Sequence, residues 1–367
     1  MSGRVPNVFQ KTNLVDDAVT LFIGSQVYEG WKNATIVREI NTLGSTFNLT
    51  VVDKWRADQE PFNLKPGSAV HIHTGKDSVI TGYIDAVSFD LQAQNRTINI
   101  SGRSKTADLI DSSITGKNVY NDLDIKAIAE KIVEPYDGIK ILLRADGGAK
   151  FDKFVVRQGE TVFEALDRLA RARSLIMYPS FFGNVILTKK DTTLASTEIR
   201  SGINLLSGSS TFDNSERFSK YIVKGQAQGT KGTAEQAIGS MGEATDSGIT
   251  RTRELLVIAE NAADNAAALE RAKYEADIRS ARSVELNVTV QGWRQEDGTI
   301  WDVNQLIFVD AGFLGYRGKA LIKKVQFIKE EGGTKTELTL IRPDAFEFTK
   351  DKKKENDPVD LMGWEKI

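Results

Sequence analysis

Val70-His-Ile-His-Thr74, Ile84-Asp-Ala-Val-Ser-Phe89 and Thr97-Ile-Asn-Ile100 have counterparts, in the same order, in Leu306-Ile-Phe-Val-Asp310, Ile322-Lys-Lys-Val-Gln-Phe327 and Glu337-Leu-Thr-Leu340. Upstream of both series, Phe47-Asn-Leu-Thr-Val51 matches Leu286-Asn-Val-Thr-Val290. The offset between matched blocks runs only from 236 (Val70 to Leu306) to 240 (Thr97 to Glu337), and it changes in turn-like stretches. Each block alternates apolar and polar residues, the period of a half-buried strand. Alternation is common, so one match would mean little. Four blocks in one order indicate a β-rich module present twice.

Composition sets wide bounds. A chain of 367 residues is long enough for more than one domain. It is 40% hydrophobic and 27% charged, ordinary for a globular protein, and its net charge of −2 gives no global attraction for nucleic acid. The absence of cysteine excludes disulfides, thiolate zinc sites and cysteine nucleophiles. No apolar run approaches the ~18 residues of a membrane span. Met1-Ser-Gly-Arg-Val-Pro6 lacks the apolar core of a signal peptide, so synthesis in a reducing cytoplasm is expected.

Between the repeats the pattern changes. Residues 15–103 read as strands and turns, with Pro66-Gly67 turning into the strand at 69–74 and Gly82 marking a bulge or close backbone approach. Asp124 is placed to cap a helix over 125–133, and Thr161-Val-Phe-Glu164 is a capping box opening a second helix to about Arg173. Leu175-Ile-Met-Tyr178 and Asn184-Val-Ile-Leu-Thr188 read as a hairpin. Arg217-Phe-Ser-Lys-Tyr-Ile-Val-Lys-Gly225 reads as the start of the second module. Gly, Ala, Ser and Thr from Gln226 to Gly248 read as a loop, and 260–282 as an Ala-rich helix. That helix either covers a sheet or docks on a neighbour.

The expected fold is therefore multidomain, β-rich and α+β. A first β-barrel-like module covers 1–112 with a loose N-terminus, and an α+β domain covers 113–205. The second module is split between 206–228 and 283–346 by a loop and helix insertion at 229–282. A charged tail occupies 347–367.

No pattern commits the chain to chemistry. His71 and His73 share one face of a strand, but no third ligand is indicated beside them, and ordinary strand histidines are the simpler reading. Gly102-Arg-Ser-Lys-Thr106 and Gly225-Gln-Ala-Gln-Gly-Thr-Lys-Gly-Thr233 depart from the phosphate-loop pattern. No serine sits in a nucleophile elbow, and no carboxylate pair has an apolar pocket signature. Five tryptophans (31, 55, 293, 301 and 364) read chiefly as core, with an interface as the alternative. We assign no catalytic residue, cofactor or metal, and leave the partner interface unassigned.

A series of segments carries more information. It runs Thr81-Gly-Tyr-Ile-Asp85, Ser101-Gly-Arg-Ser-Lys-Thr-Ala-Asp-Leu-Ile-Asp111, Gln158-Gly-Glu-Thr-Val-Phe-Glu-Ala-Leu166 and Arg217–Gly225. It continues with Ala244-Thr-Asp-Ser-Gly-Ile-Thr-Arg251, Gly292-Trp-Arg-Gln-Glu-Asp-Gly298 and Thr336-Glu-Leu-Thr-Leu340. In this order they resemble the late-control-D family of contractile-tail hubs, in the form found in Mu-like phages and prophages. The resemblance covers roughly 20–346 and no single motif is diagnostic.

It implies a structural virion protein of the tail baseplate and not an enzyme. The family forms homotrimers whose two modules per chain alternate into a pseudo-sixfold ring. Such a ring adapts a hexameric tail tube to a trimeric spike, two symmetries that one interface must reconcile. The implied partners are further copies of the chain, the spike, the tube and other baseplate proteins. DNA would pass through the channel without stable binding. The alternatives are a cell-wall or carbohydrate-binding module, suggested by Gly159-Glu-Thr-Val162 before a helix, a cell-wall hydrolase, and the hub of a type VI secretion-like apparatus.

Overall fold

The computed structural model describes residues 18–53, 64–92, 96–173, 175–225, 240–258 and 265–343. The expectations for 1–14, 226–239 and 347–367, and Trp55 and Trp364, lie outside them.

The first module contains β1 (Val19–Ile23), β2 (Gln26–Tyr28), β3 (Asn33–Glu39), β4 (Thr46–Asp53), β5 (Ala69–Thr74), β6 (Asp77–Leu91) and β7 (Arg96–Ser104). A 3-10 turn and α1 (Asp108–Asp111) leave the sheet. The middle domain follows with β8 (Val119–Leu123), α2 (Ile125–Val133), β9 (Ile141–Leu143), β10 (Phe151–Val155), α3 (Val162–Ala172), β11 (Ile176–Pro179) and β12 (Val185–Thr188). Then come β13 (Ile199–Arg200), β14 (Leu205–Phe212), β15 (Lys220–Lys224), β16 (Met241–Thr245), β17 (Glu254–Ile258) and α4 (Asn265–Arg282). The chain closes with β18 (Val284–Gln291), β19 (Leu306–Ala311), β20 (Tyr316–Glu330) and β21 (Gly333–Ile341).

The two modules do more than repeat. They share one sheet, in the order β14-β18-β21-β20-β3-β4-β7-β6-β5-β1-β2, with β19 and β13 branching from β20. The joint is antiparallel pairing of β20 with β3, from Lys324 opposite Glu39 to Lys329 opposite Ala34. One core lies beneath it, containing Ile36, Phe47, Leu49 and Ile72 from the first module and Leu286, Val325, Phe327 and Trp293 from the second.

The pairing fixes the repeat residue by residue. The β6–β7 ladder slips between Ile84 and Ala86, and the β20–β21 ladder slips between Ile322 and Lys324. The extra residues, Asp85 and Lys323, are 238 apart, so both modules carry a bulge at the same place. With β6 and β20 aligned in this way, Val87 opposite Ile100 corresponds to Val325 opposite Leu338. The last block is therefore also offset by 238, not 240. A slip of two keeps the same residues facing inward, and alternation alone does not detect it. Similarly, Val70 opposite Gly82 corresponds to Ile307 opposite Ala320, an offset of 237 where the sequence suggested 236. Buried Leu306 and Ile307 are adjacent, which blurred the face. The fourth block keeps its offset of 239, because Phe47 faces Gly102 as Leu286 faces Leu340.

Two expectations change. Lys220–Lys224 does not join the second module. It is the middle strand of a separate three-stranded sheet, β16-β15-β17, with Tyr221 and Val223 buried against Ala268, Ala272 and Ala276 of α4. Alternation was read correctly there, but it does not name the neighbouring strand. The strand that opens the module is β14, whose Leu-Leu-Ser-Gly-Ser-Ser-Thr-Phe sequence has weak strand propensity. Met241–Thr245, expected in a loop, is the strand β16. The Ala-rich helix covers this small sheet, and Gly242 allows its close approach: a Cβ there would lie 2.1 Å from the Leu269 amide nitrogen.

The middle domain has its own core, centred on α2, α3, β11 and β12. Asp124 caps α2 through the Ala127 amide (2.8 Å), and Thr161 and Glu164 form the reciprocal capping box of α3. Arg38 on β3 ties three parts together. It donates to Asp302 Oδ1 from Nε (3.1 Å) and Nη2 (3.0 Å), donates to the Pro179 carbonyl (3.0 Å), and stacks over Phe181.

Candidate assembly surfaces

Alternation in the shared sheet buries one face and leaves the other polar. The register places Ser207, Ser209, Asn287, Thr289, Glu337 and Thr339 on the open face of the second module. Lys324, Gln326, Thr35 and Val37 carry it across the joint. Asn48, Thr50, Asn99, Ser88 and Asp90 continue it over the first module. The result is a largely polar surface running across both modules, broken at the joint by Val37 and by Ile328 opposite Thr35.

Its side chains are held by one another. Thr50 donates to Asn99 Oδ1 (2.8 Å), and Asn99 donates to Ser88 Oγ (3.4 Å) and Asp90 Oδ2 (3.3 Å). In the second module Ser207 donates to Thr289 (3.0 Å), and Thr339 donates to Asn287 Oδ1 (2.7 Å). Charges on and beside the face are mixed. The bulge residue Lys323 sits between Glu39 (3.6 Å) and Glu285 (3.3 Å), and the other bulge residue, Asp85, holds Arg103 at 2.7 Å. Hydrogen bonds to Asp111 and Asp85 raise the Arg103 pKa further, so it stays a cation. The face therefore combines neutral hydroxyls and amides with charges of both signs, and its described residues form no basic cluster of the kind that grips phosphates.

Besides the short end strand β2, two longer stretches of strand edge in the shared sheet have no partner among the described residues. Ala86–Leu91 of β6 pairs with β7 on one side, and no described residue pairs with the other. Likewise β14 pairs only with β18. The β6 edge is apolar on its core-facing side, with Phe89 62% exposed and Leu91 70%, whereas β14 presents Gly208, Ser210 and Phe212, the last 50% exposed.

The sequence candidates fall elsewhere. His71 accepts from or donates to Thr81 Oγ1 (3.2 Å), and His73 packs edge-on against Phe22, where burial and then His71 lower its pKa against the opposing pull of Asp77. Among the described residues no three or more His, Cys, Asp or Glu side chains gather as a metal site. Trp31, Trp293 and Trp301 are buried, so they build core rather than interface. The polar face went unnamed in the sequence, although its signal was there. Asn48-Leu-Thr50 and Asn287-Val-Thr289 are the same polar pair at matched positions of the repeat.

Known proteins agree with this organisation. Residues 18–104 match the family described as Mu phage baseplate assembly protein GpP-like, N-terminal, and 264–349 match the fourth domain of that protein. Residues 106–189 match the second domain of baseplate hub protein gp44-like proteins. Baseplate hub protein gp44 of Escherichia phage Mu is 31% identical over 343 residues, covering 90% of this chain and 89% of its own. The 43 kDa tail protein of prophage MuSo2 from Shewanella oneidensis superposes with a TM-score of 0.80 at 30% identity, covering 90% of this chain and all of that one. A tail protein from Neisseria meningitidis superposes at 0.77 with 22% identity, over 90% and 99% of the two chains. With two matching modules in one sheet and this relationship along nearly its whole length, the chain belongs to the baseplate hub family of Mu-like phage tails.

Proposed function

We propose that three copies of this chain form a ring at the centre of the baseplate, with the polar face of the shared sheet lining an axial channel. Each chain supplies two equivalent modules, so three chains supply six. One side of such a ring can meet a hexameric tail tube and the other a trimeric spike, which is how a duplicated unit reconciles threefold with sixfold symmetry. The observation that carries this reading is the matched bulge at Asp85 and Lys323, which makes the modules equivalent at residue level within one sheet.

The lining suits passage rather than retention. DNA affinity comes mainly from phosphate contacts with Lys and Arg. Ser, Thr and Asn bonded to one another, with Lys323 held between two carboxylates, offer few such contacts. On this reading the protein acts in the virion tail after synthesis in the host cytoplasm. It carries no catalytic role.

Light scattering on a sizing column across a concentration series tests the proposal. A species of three times the 40.5 kDa chain mass, imaged as a ring, is the expected result. A ring with a different number of copies would overturn the threefold reading. Gel-shift retention of duplex DNA at physiological salt would overturn the passive channel.

A further inference from the structure

The strand β17 has the sequence of one covered on both faces. Glu254-Leu-Leu-Val-Ile258 is a continuous apolar run after its first residue, and it pairs in parallel with β15. Runs of this kind belong to strands buried on both sides, whereas a half-exposed strand alternates. α4 covers one side, where Leu255 and Val257 pack with Tyr221 and Val223. On the other side Leu256 is 55% exposed, Ile258 62% and Met241 48%, so no described residue shields it. The register gathers these side chains: Ile222 is opposite Leu256, and Lys224 stands between Ile258 and Met241.

The same chain carries a segment that suits this face. Lys350-Asp-Lys-Lys-Lys-Glu-Asn-Asp357 is almost wholly charged, and Pro358 separates it from Val359-Asp-Leu-Met-Gly-Trp-Glu-Lys-Ile367. The second stretch sets Val359, Leu361, Met362, Trp364 and Ile367 among three charges, Asp360, Glu365 and Lys366. The outer face of the small sheet offers exposed Lys224 at one end and exposed Glu254 at the other, either side of its apolar centre. We infer that residues 359–367 dock on the outer face of β16-β15-β17 in their own chain, with their apolar side chains against Ile222, Leu256 and Ile258. This contact goes beyond the ring and does not depend on it.

The connection is long enough. Ile341 is opposite Glu285 at the start of β18, and the Asp213 amide donates to the Ser283 carbonyl (2.8 Å). Arg253, just before β17, donates to the carbonyls of Asn214 (3.1 Å) and Ser215 (2.6 Å). Followed step by step, this path from Ile341 to Leu256 is at most about 45 Å. The chain from Ile341 to Val359 can span about 60 Å. A tether of that length holds the segment near the face at an effective concentration in the millimolar range, so a modest apolar contact keeps it there.

The chain has no cysteine, so a bimane fluorophore on Glu254→Cys labels one site, two residues from Leu256 on the same face. Tryptophan quenches bimane on contact, and Trp31, Trp293 and Trp301 are buried in the large core. With the face occupied at least half the time, Trp364→Phe in the full-length labelled protein should raise emission about twofold or more. Without label, a chain ending at Pro358 should exchange its 255–258 amides faster by a similar factor than the full chain. Equal emission with and without Trp364 would overturn the contact. Exchange at 255–258 unmoved by removing 359–367 would show a different cover and overturn it as well. Labelled Trp364→Phe chains mixed with unlabelled chains that keep Trp364 should stay bright. Quenching that grows with concentration in that mixture would put the segment on a neighbouring copy and overturn docking within one chain.

Discussion

Asp302→Ala should destabilise the protein more than removing the charge it pairs with. Arg38 is 1% exposed, and Asp302 accepts two of its three hydrogen bonds. With Asp302 gone, the guanidinium remains buried, held by the Pro179 carbonyl and the Phe181 ring. Leaving one partner of a buried pair behind costs about 3–5 kcal/mol. Asp302 is 28% exposed, so water reaches the vacated position and the expected cost falls at the low end, about 3 kcal/mol. Arg38→Met removes the buried charge and keeps most of the volume. The remaining carboxylate is partly hydrated and still accepts from the Val303 amide (2.8 Å), so about 1 kcal/mol is expected. Arg38→Ala adds a cavity and falls between, about 2–3 kcal/mol. Urea unfolding followed by tryptophan fluorescence reads all three, because Trp293 and Trp301 lie in the core shared by both modules. An Asp302→Ala midpoint equal to or above that of Arg38→Met would refute the reasoning. It would show that the guanidinium finds water or another acceptor once the carboxylate is gone.

Three further outcomes are expected. Gly82→Ala would place a Cβ 1.9 Å from the Arg103 carbonyl oxygen, so it should part β6 from β7 and cost at least about 3 kcal/mol, while Gly116→Ala, with open space around it, should be neutral by the same urea assay. Thr161→Ala removes the hydroxyl that accepts from the Glu164 amide (3.2 Å), and hydrogen exchange in the first turn of α3 should rise by the equivalent of about 1 kcal/mol. Burial pushes the Glu160 carboxyl up, but hydrogen bonds from Arg168 and the Arg157 amide outweigh it and hold the pKa below the ordinary 4.5. A depressed folded-state pKa gives stability that is present above 4.5 and lost as pH falls through the folded value. Glu160→Gln should therefore lower stability at neutral pH and flatten the acid limb of a stability-against-pH curve; an unchanged limb would remove Glu160 as its source.

Much of the fold was legible because local chemistry and tertiary structure agree. Asp124 and the Thr161–Glu164 box announced the two helices of the middle domain, and their ends fall where the caps put them. The repeat was legible because alternation reports which face of a strand is buried. What it does not report is the neighbour. Val87 and Phe89 read like Val325 and Phe327, yet one pair lies on an open edge and the other beneath a joint. The same blindness assigned β15 to the large sheet and let the Glu337 block slide by two. β14 was overlooked because its serines and glycine suit a strand only through the pairing they make with β18. The polar face, finally, is a property of strands side by side, and the order of strands is not written in any one of them.

The joint between β3 and β20 also sets a schedule. Glu39 pairs with Lys324, so 285 residues separate the two sides of the seam. During synthesis at about 5–20 residues per second, β3 emerges on the order of 15 to 60 s before its partner strand exists. Through that interval the first module can complete its β3–β4–β7–β6–β5 meander but must hold an unpaired strand on its flank. The middle domain, with its own core, can fold meanwhile and occupy the space beside that strand through the Asn41 amide bonded to the Met177 carbonyl. Nascent chains stalled before residue 320 should thus be the species most prone to aggregate on the ribosome, and chains released past 341 the first able to close the seam.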